Sequence, residues 1–433
     1  MKNYRMNSFL MLLGILIGFG ACSRKPEVPV AQALKIDGLE AAAPYLTKDA
    51  KGNAVLCWTE KDAIDSLYRL KYAIYDAHAK QFSKAITVPT SAGCSNAAES
   101  MAKVAFKADG TVLAIFAKRF PKEKNPYAGA IYYSISTDNG QKWSDALFLH
   151  SDTAHTYGRS FFDLARLKDG ELGAIWLDGR YGKTIKGSAL FFARTEKGKG
   201  FATDNCIDKG TCECCRTAIL VDEAGNIHLA YRNINVPSEL SVQQFRDMAY
   251  KLSADNGKTF SAAHTISNDN WEINGCPHSG PSIAANKNGL QVVWFTAGGG
   301  TGLYHTSSLG LGSNFRQRNL LTTSGRHPQV YALNGDRLAM VCEEVVEAEP
   351  EKSMDMNHSH GGMKMTHAAA GAAKIMLRVI ANGTPEAPIA VTSGAEADNH
   401  AVITSIDDGL LVAWVREAKS GSKIYFTPVV LTK

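Results

Sequence analysis

An excess of charge of either sign is missing from this chain. Its 433 residues hold 47 Lys and Arg against 42 Asp and Glu, a formal net charge of +5. That balance falls by two once Lys2 and Arg5 are removed with the leader described below. No basic stripe appears, so nucleic acid is excluded as a partner. Helical periodicity is almost absent as well, which leaves an all-β chain. No nucleotide cofactor is expected. What is present is ordinary: 45% of residues are hydrophobic and 21% charged, a balance that excludes wholesale disorder. A single core does not usually serve a chain of this length, so it is either a repeat fold or more than one domain.

The N-terminus is a targeting segment. Lys2 and Arg5 precede an apolar run, Phe9 to Phe19, too short to be a good spanning helix. Gly20-Ala21-Cys22 then places small residues before a cysteine. This resembles a bacterial lipoprotein signal, with Phe19 where Leu is usual and Cys22 as the lipidated residue. A plain secretory signal is the alternative. The expected organisation is a signal over residues 1–21, a lipid-anchored tether over 22–28 and one domain over 29–433. The expected location is the bacterial cell envelope, outer membrane, periplasmic or surface-facing, with the membrane as partner through the anchor. Disulfides are permitted there.

Internal repetition decides the architecture. Seven segments share a turn with glycine followed by a short apolar strand ending in or near an aromatic or Cys. The glycines are Gly52, Gly110, Gly170, Gly225, Gly289, Gly335 and Gly409, spaced 46 to 74 residues apart. Each follows a second apolar strand, so each unit opens with a hairpin. Four strands in about 60 residues, repeated, spell a β-propeller of four-stranded blades. Seven blades are favoured, with six as the alternative. The last unit is one strand short, and Val28 to Ile36 reads as the N-terminal strand that closes the ring.

Two hairpins carry a sharper signal: Ser136-Thr-Asp138-Asn-Gly140-Gln-Lys-Trp143 and Ser253-Ala-Asp255-Asn-Gly257-Lys-Thr-Phe260. Both resemble the Asp box of sialidases and related BNR-repeat propellers, and Ser308 to Phe315 is a degenerate copy. The resemblance covers most of the mature chain. It implies Asp side chains capping backbone N–H groups and aromatics wedged between blades, on the face opposite the sialidase site.

The repeat also gathers chemistry onto one face. The starts of the inner strands carry Cys94 to Glu99, Tyr157 to Ser160, Cys214-Cys215-Arg216, Cys276-Pro-His278, Arg326-His327 and Asp398-Asn-His400. Four of the nine cysteines lie between Cys206 and Cys215. Cys57 and Cys342 read as buried thiols in second strands. Cys94, Cys206, Cys212, Cys214, Cys215 and Cys276 read as link residues, an even number, for which structural disulfides are one expectation. The other is a thiolate–imidazole metal site for copper or zinc, built from Cys212, Cys214, Cys215, Cys276 and His278. An insertion over residues 347–373, expected as a mobile loop, places Met354, Met356, His358, His360, Met363, Met365 and His367 on the same face. That donor set suits Cu(I) capture, or it is a low-complexity loop that binds metal only incidentally.

The resemblance to sialidases implies a glycan ligand, an arginine clamp, a Tyr nucleophile assisted by Glu, and an Asp acid/base. Arg159, Arg216 and Arg326 stand where a clamp would form, and Asp163, Asp178 and Asp398 are acid/base candidates by location. The Arg-Ile-Pro motif is missing, its place reading Ala43-Pro44-Tyr45. No Tyr begins the last inner strand, which reads Asn399-His400-Ala401. Hydrolysis by the sialidase route lacks its nucleophile. The expected function is therefore metal binding or thiol-based handling on the propeller face, with a divergent exo-sialidase or glycan-binding propeller as the alternative.

Overall fold

The computed structural model describes residues 29–236, 243–273, 275, 277–310, 312, 314–345 and 372–431. Seven antiparallel sheets make a seven-bladed propeller. The inner strands are Glu40–Lys48, Lys103–Phe106, Arg159–Arg166, Ala218–Val221, Ser282–Asn286, Gly325–Ala332 and Ala397–Ile406, for blades 1 to 7 in turn. Ring closure follows the expectation. Gln32–Ala33 pairs with Lys423–Val429 as the outer strand of blade 7, in the register Gln32↔Phe426.

The repeated glycine turns have a common cause. Gly52, Gly110, Gly170 and Gly225 all take φ between +86° and +92°, which a side chain would oppose. The preceding acid holds the turn, as where Asp49 accepts the N–H groups of Lys51 and Asn53 at 2.8 Å each.

Among the described residues no single core exists. Seven apolar clusters each straddle two neighbouring blades, one for every interface in the ring. Trp58, Trp176, Trp294 and Trp414 sit in the second strands of alternate blades and are fully buried. Each indole N–H donates to an acid, namely Glu60 (2.9 Å), Asp178 (3.3 Å), Asp269 (2.7 Å) and Asp398 (3.0 Å). Burying one indole withdraws on the order of 200 Å² from water, about 5 kcal/mol as an upper bound. The acid keeps the indole N–H from going unsatisfied.

The boxes close alike. Ser136 Oγ accepts Gly140 N–H and Asp138 accepts Lys142 N–H; Ser253 and Asp255 do the same for Gly257 and Thr259. Their aromatics pack edge-on against the preceding blade, Trp143 on Tyr72 at 6.4 Å and Phe260 on Phe192 at 5.0 Å between ring centroids.

One feature of the inner strands has no counterpart in the sequence pattern. In blades 1, 3, 6 and 7 the register slips by one residue near the strand start, between Ala42 and Tyr45, Ser160 and Asp163, Arg326 and Gln329, and Asn399 and Val402. Two inner-strand residues there oppose one residue of the second strand, the definition of a bulge. The first of each pair, Ala43, Phe161, His327 and His400, has φ between +46° and +55°. Such a conformation costs a non-glycine residue about 1 kcal/mol or more. His278, in the link before the blade 5 inner strand, shares it at φ +48°.

Candidate functional site at the channel mouth

The inner strands line a central channel of about 390 Å³, bounded among others by Tyr45, Asp163, Arg216, Gln329 and Tyr331. Two clusters of donor groups form where those strands begin.

The first is the cysteine run. The chain leaves the outer strand of blade 3, Asn205–Thr211, and is held by Cys212 N–H donating to Arg232 O at 2.9 Å. The turn that follows buries Cys212, Cys214 and Cys215 beside Phe161. Cys212 Sγ lies 3.7 Å from Cys214 Sγ and 3.6 Å from Cys215 Sγ. Arg246 reaches in from blade 4, donating to Cys212 Sγ at 3.1 Å and to Glu213 at 3.1 Å. Hydrogen bonds from Cys214 and Cys215, and then the Arg246 charge, hold the Cys212 thiol well below its ordinary range. Burial pushes Cys215 the other way.

Two expectations about cysteine change here. Among the described residues no two cysteines are bonded to each other. The 3.6–3.7 Å sulfur separations compare with about 2.05 Å for a disulfide. Cys206 is not on a link but in the outer strand of blade 3 opposite Phe191, where its thiol donates to Asp208 O at 3.4 Å. Cys94 donates to Tyr68 O, and burial pushes its thiol up to about 12, as it does that of Cys57. Cys57 and Cys342 are buried in second strands, as expected. Cys22, Cys276 and the Met354 to His367 segment lie outside the described residues. His278 is exposed, at its bulge-like position.

The second cluster joins blades 2, 6 and 7. A carboxylate oxygen of Glu99 and one ring nitrogen each of His327 and His400 lie within 4.8 Å of one another. Glu343, in the second strand of blade 6, spans both histidines. One oxygen accepts His327 Nδ1–H at 2.5 Å and the other accepts the His400 backbone N–H at 2.7 Å. Burial disfavours a charged His327, yet the Glu343 hydrogen bond and charge outweigh it and raise the pKa. His400 is lowered, mainly by burial. Arg216 donates to Glu99 Oε1 at 3.0 Å and to Pro328 O at 2.9 Å. Since Arg216 follows Cys215 directly, it connects the cysteine run to the second cluster.

The three arginines engage separate partners. Arg159 is buried against Asp178 and Asp152, Arg216 holds Glu99, and Arg326 lies over the Phe295 ring at 4.2 Å. The acid/base candidates are also paired: Asp163 with Lys103, Asp178 with Arg159 and Arg180, Asp398 with Arg416. Asp178 is held below the ordinary carboxylate range, because its arginine partners outweigh burial. A general acid needs the opposite shift. Tyr45 beside Asp163 is raised by burial and by that carboxylate, which opposes nucleophilic use of its phenol.

Solved structures supply a comparison. The polysaccharide lyase Uly1 aligns with a TM-score of 0.52 at 11% identity, over 92% of this chain and 91% of that one. A protein of unknown function from Dyadobacter fermentans DSM 18053 gives 0.50 at 14% identity, over 76% and 93%. The Hadza microbial sialidase Hz136 gives 0.47 at 14%, over 84% and 74%. The likeness is one of fold. It is the β-propeller that the resemblance to sialidases implied. No protein-family model and no curated protein matches the chain.

Sequence reasoning named His327, His400 and Arg216 but missed Glu343 and Arg246. Glu343 follows Cys342 at the end of a strand and looks like any strand-terminal acid. Its register partner, Arg326, marks it as level with the bulge. Arg246 carried no local signal at all.

Proposed function

We propose that this propeller is a cell-envelope protein that captures a soft metal ion, Cu(I) or Zn(II), on the thiolates of Cys212, Cys214 and Cys215. Cys276 and His278 are the further donors from the neighbouring link, and the Met354 to His367 segment gathers the ion. Anchoring through Cys22 would hold the protein at the membrane.

The convergence of the three sulfurs carries the reading. Thiolates bound at about 2.3 Å to one tetrahedral ion stand roughly 3.8 Å apart, close to the 3.6 and 3.7 Å observed. An ion would enter with little rearrangement. Arg246 offsets part of the negative charge that three thiolates and one cation leave behind. The buried setting limits competition from water and oxygen-donor ligands.

A second reading, a glycan ligand at the same mouth, draws on the nearly complete overlap with a polysaccharide lyase. Arg216 and Asp163 line the channel and would contact it.

The test is Cu(I) titration of anaerobically purified protein against a chromophoric competitor, with a thiol count alongside. The expected result is stoichiometric binding that weakens at least 100-fold in Cys212→Ser/Cys215→Ser, with thermal unfolding as the fold control. Unchanged affinity in that variant would overturn the thiolate site. A shift in unfolding on adding an acidic oligosaccharide, without metal, would favour the second reading.

A further inference from the structure

The Glu99, His327 and His400 cluster has a different chemistry from the cysteine run, and nothing above gives it a task. Its donors are two imidazoles and one carboxylate, brought by three separate blades to one small pocket that also touches Met101, Arg216 and Gln329. We propose that it is a second metal site, for a borderline divalent cation such as Zn(II), independent of the thiolate site.

Four observations carry this. The donors are presented by built-in distortion: His327 and His400 occupy the left-handed position of their bulges, at φ +46° and +51°, and a bulge of this kind re-aims a side chain. Glu343 fixes the rings as well. By taking His327 Nδ1–H it leaves Nε2 as the lone-pair nitrogen, and by taking the His400 backbone N–H it sets where that ring starts. A carboxylate that orients a ligating histidine in this way is a general feature of metal sites. Two buried polar atoms of the cluster, Glu99 Oε2 and His400 Nδ1, have no hydrogen-bond partner among the described residues. Glu99 is 8% exposed, so its second oxygen is withheld from water without protein compensation. A cation coordinated by both atoms would satisfy both. Finally, Arg216 holds only Oε1 of Glu99 and ties the same guanidinium to Pro328 O, next to His327. The carboxylate is thereby oriented with its other oxygen unengaged.

The donor set selects the ion. With one carboxylate and no carbonyl ring, calcium and magnesium lack the oxygen ligands they need. No thiolate is among the three donors, which disfavours Cu(I); the cysteine run would take that ion instead. Two imidazoles and a carboxylate suit Zn(II) and its neighbours and leave at least one coordination position open. The donor atoms stand up to 4.8 Å apart, whereas ligands around one such ion stand about 3.4 Å apart, so side-chain rotation of about an ångström closes the site. A bound ion would tie blade 2 to blades 6 and 7 across the ring.

The experiment uses the full chain with Cys212→Ser, Cys214→Ser and Cys215→Ser, titrated with Co(II) and then Zn(II) after chelator treatment. Co(II) is expected to give ligand-field bands without sulfur charge transfer. The stoichiometry should fall by one ion when His327→Ala or His400→Ala is added. Affinity should fall about 10-fold or more in Glu343→Gln, through loss of the orienting hydrogen bond. Comparing variants in this way cancels ions held by the Met354 to His367 segment. If the triple-serine background does not fold, the same histidine variants are read in the wild-type chain. There the Co(II) stoichiometry should fall by one ion while the sulfur charge-transfer bands remain. Identical stoichiometry with and without His327 and His400 would overturn the proposal. Loss of the sulfur bands alone would count against the thiolate reading and leave this one standing.

Discussion

Arg159 and Asp178 face each other across the first strand pair of blade 3, Nε to Oδ2 at 2.9 Å, with both side chains fully buried. The same carboxylate takes the Trp176 indole N–H and Arg180. The group is therefore a core fixture of blade 3, not an acid in waiting. Asp178→Asn leaves a buried guanidinium underpaired and should lower stability by about 3–5 kcal/mol. Because the folded pKa of Asp178 is depressed, its contribution is present above the unfolded carboxylate value and is lost as pH falls through the folded one. The variant should thus lose stability at neutral pH and show a shallower acid limb. Urea unfolding at several pH values reads both effects. An unchanged acid limb would contradict the assignment.

His150 supplies a second pH dependence with a different window. It is buried, accepts Ile131 N–H through Nε2 at 3.1 Å and donates through Nδ1 to Asp152 O at 2.6 Å. Burial and then the Arg159 charge push its pKa from 6.5 to about 4. Between those values the unfolded chain binds the extra proton, so stability falls as pH falls and levels off below about 4. The full span is on the order of 3 kcal/mol. His150→Gln should remove that slope between pH 6.5 and 4. Thermal unfolding across the range is the measurement, and an unaltered slope would exclude His150 as its source.

The box glycine of blade 2 should be irreplaceable for two separable reasons. Gly140 has φ +84°, and a Cβ there would overlap the Tyr72 hydroxyl of blade 1. Gly140→Ala should cost about 2–3 kcal/mol. Adding Tyr72→Phe relieves the overlap but not the dihedral, so roughly half should return. Complete recovery would mean that the backbone conformation carries no penalty. A double-mutant cycle by chemical denaturation separates the two.

The glycine turns made the blades countable in the sequence because a tight hairpin leaves a residue-specific trace. Ring closure was legible for the same reason, as a missing strand at one end and a spare one at the other. The bulges left no trace. Ala43, Phe161, His327 and His400 share a backbone conformation but no side-chain chemistry, and tertiary packing imposes the strain. Cys206 was misplaced onto a link because a strand of seven residues with Asn, Asp, Lys and Gly lacks apolar alternation. The meeting of Glu99 with His327 and His400 joins residues more than two hundred positions apart, and only the closed ring makes them neighbours.

That closure rests on a very small clasp. Thr427 Oγ1 donates to Val30 O at 3.0 Å, between residues 397 positions apart. Beside it, the outer strand Gln32–Ala33 is two residues long. Until that contact forms, Lys423–Val429 presents a bare strand edge of the kind that recruits foreign strands. Joining such distant segments is the slowest sort of contact to make. The interval before the clasp shuts is therefore when the chain is most exposed to misassembly, and a ligand that ties blade 2 to blades 6 and 7 would act as a staple across the seam.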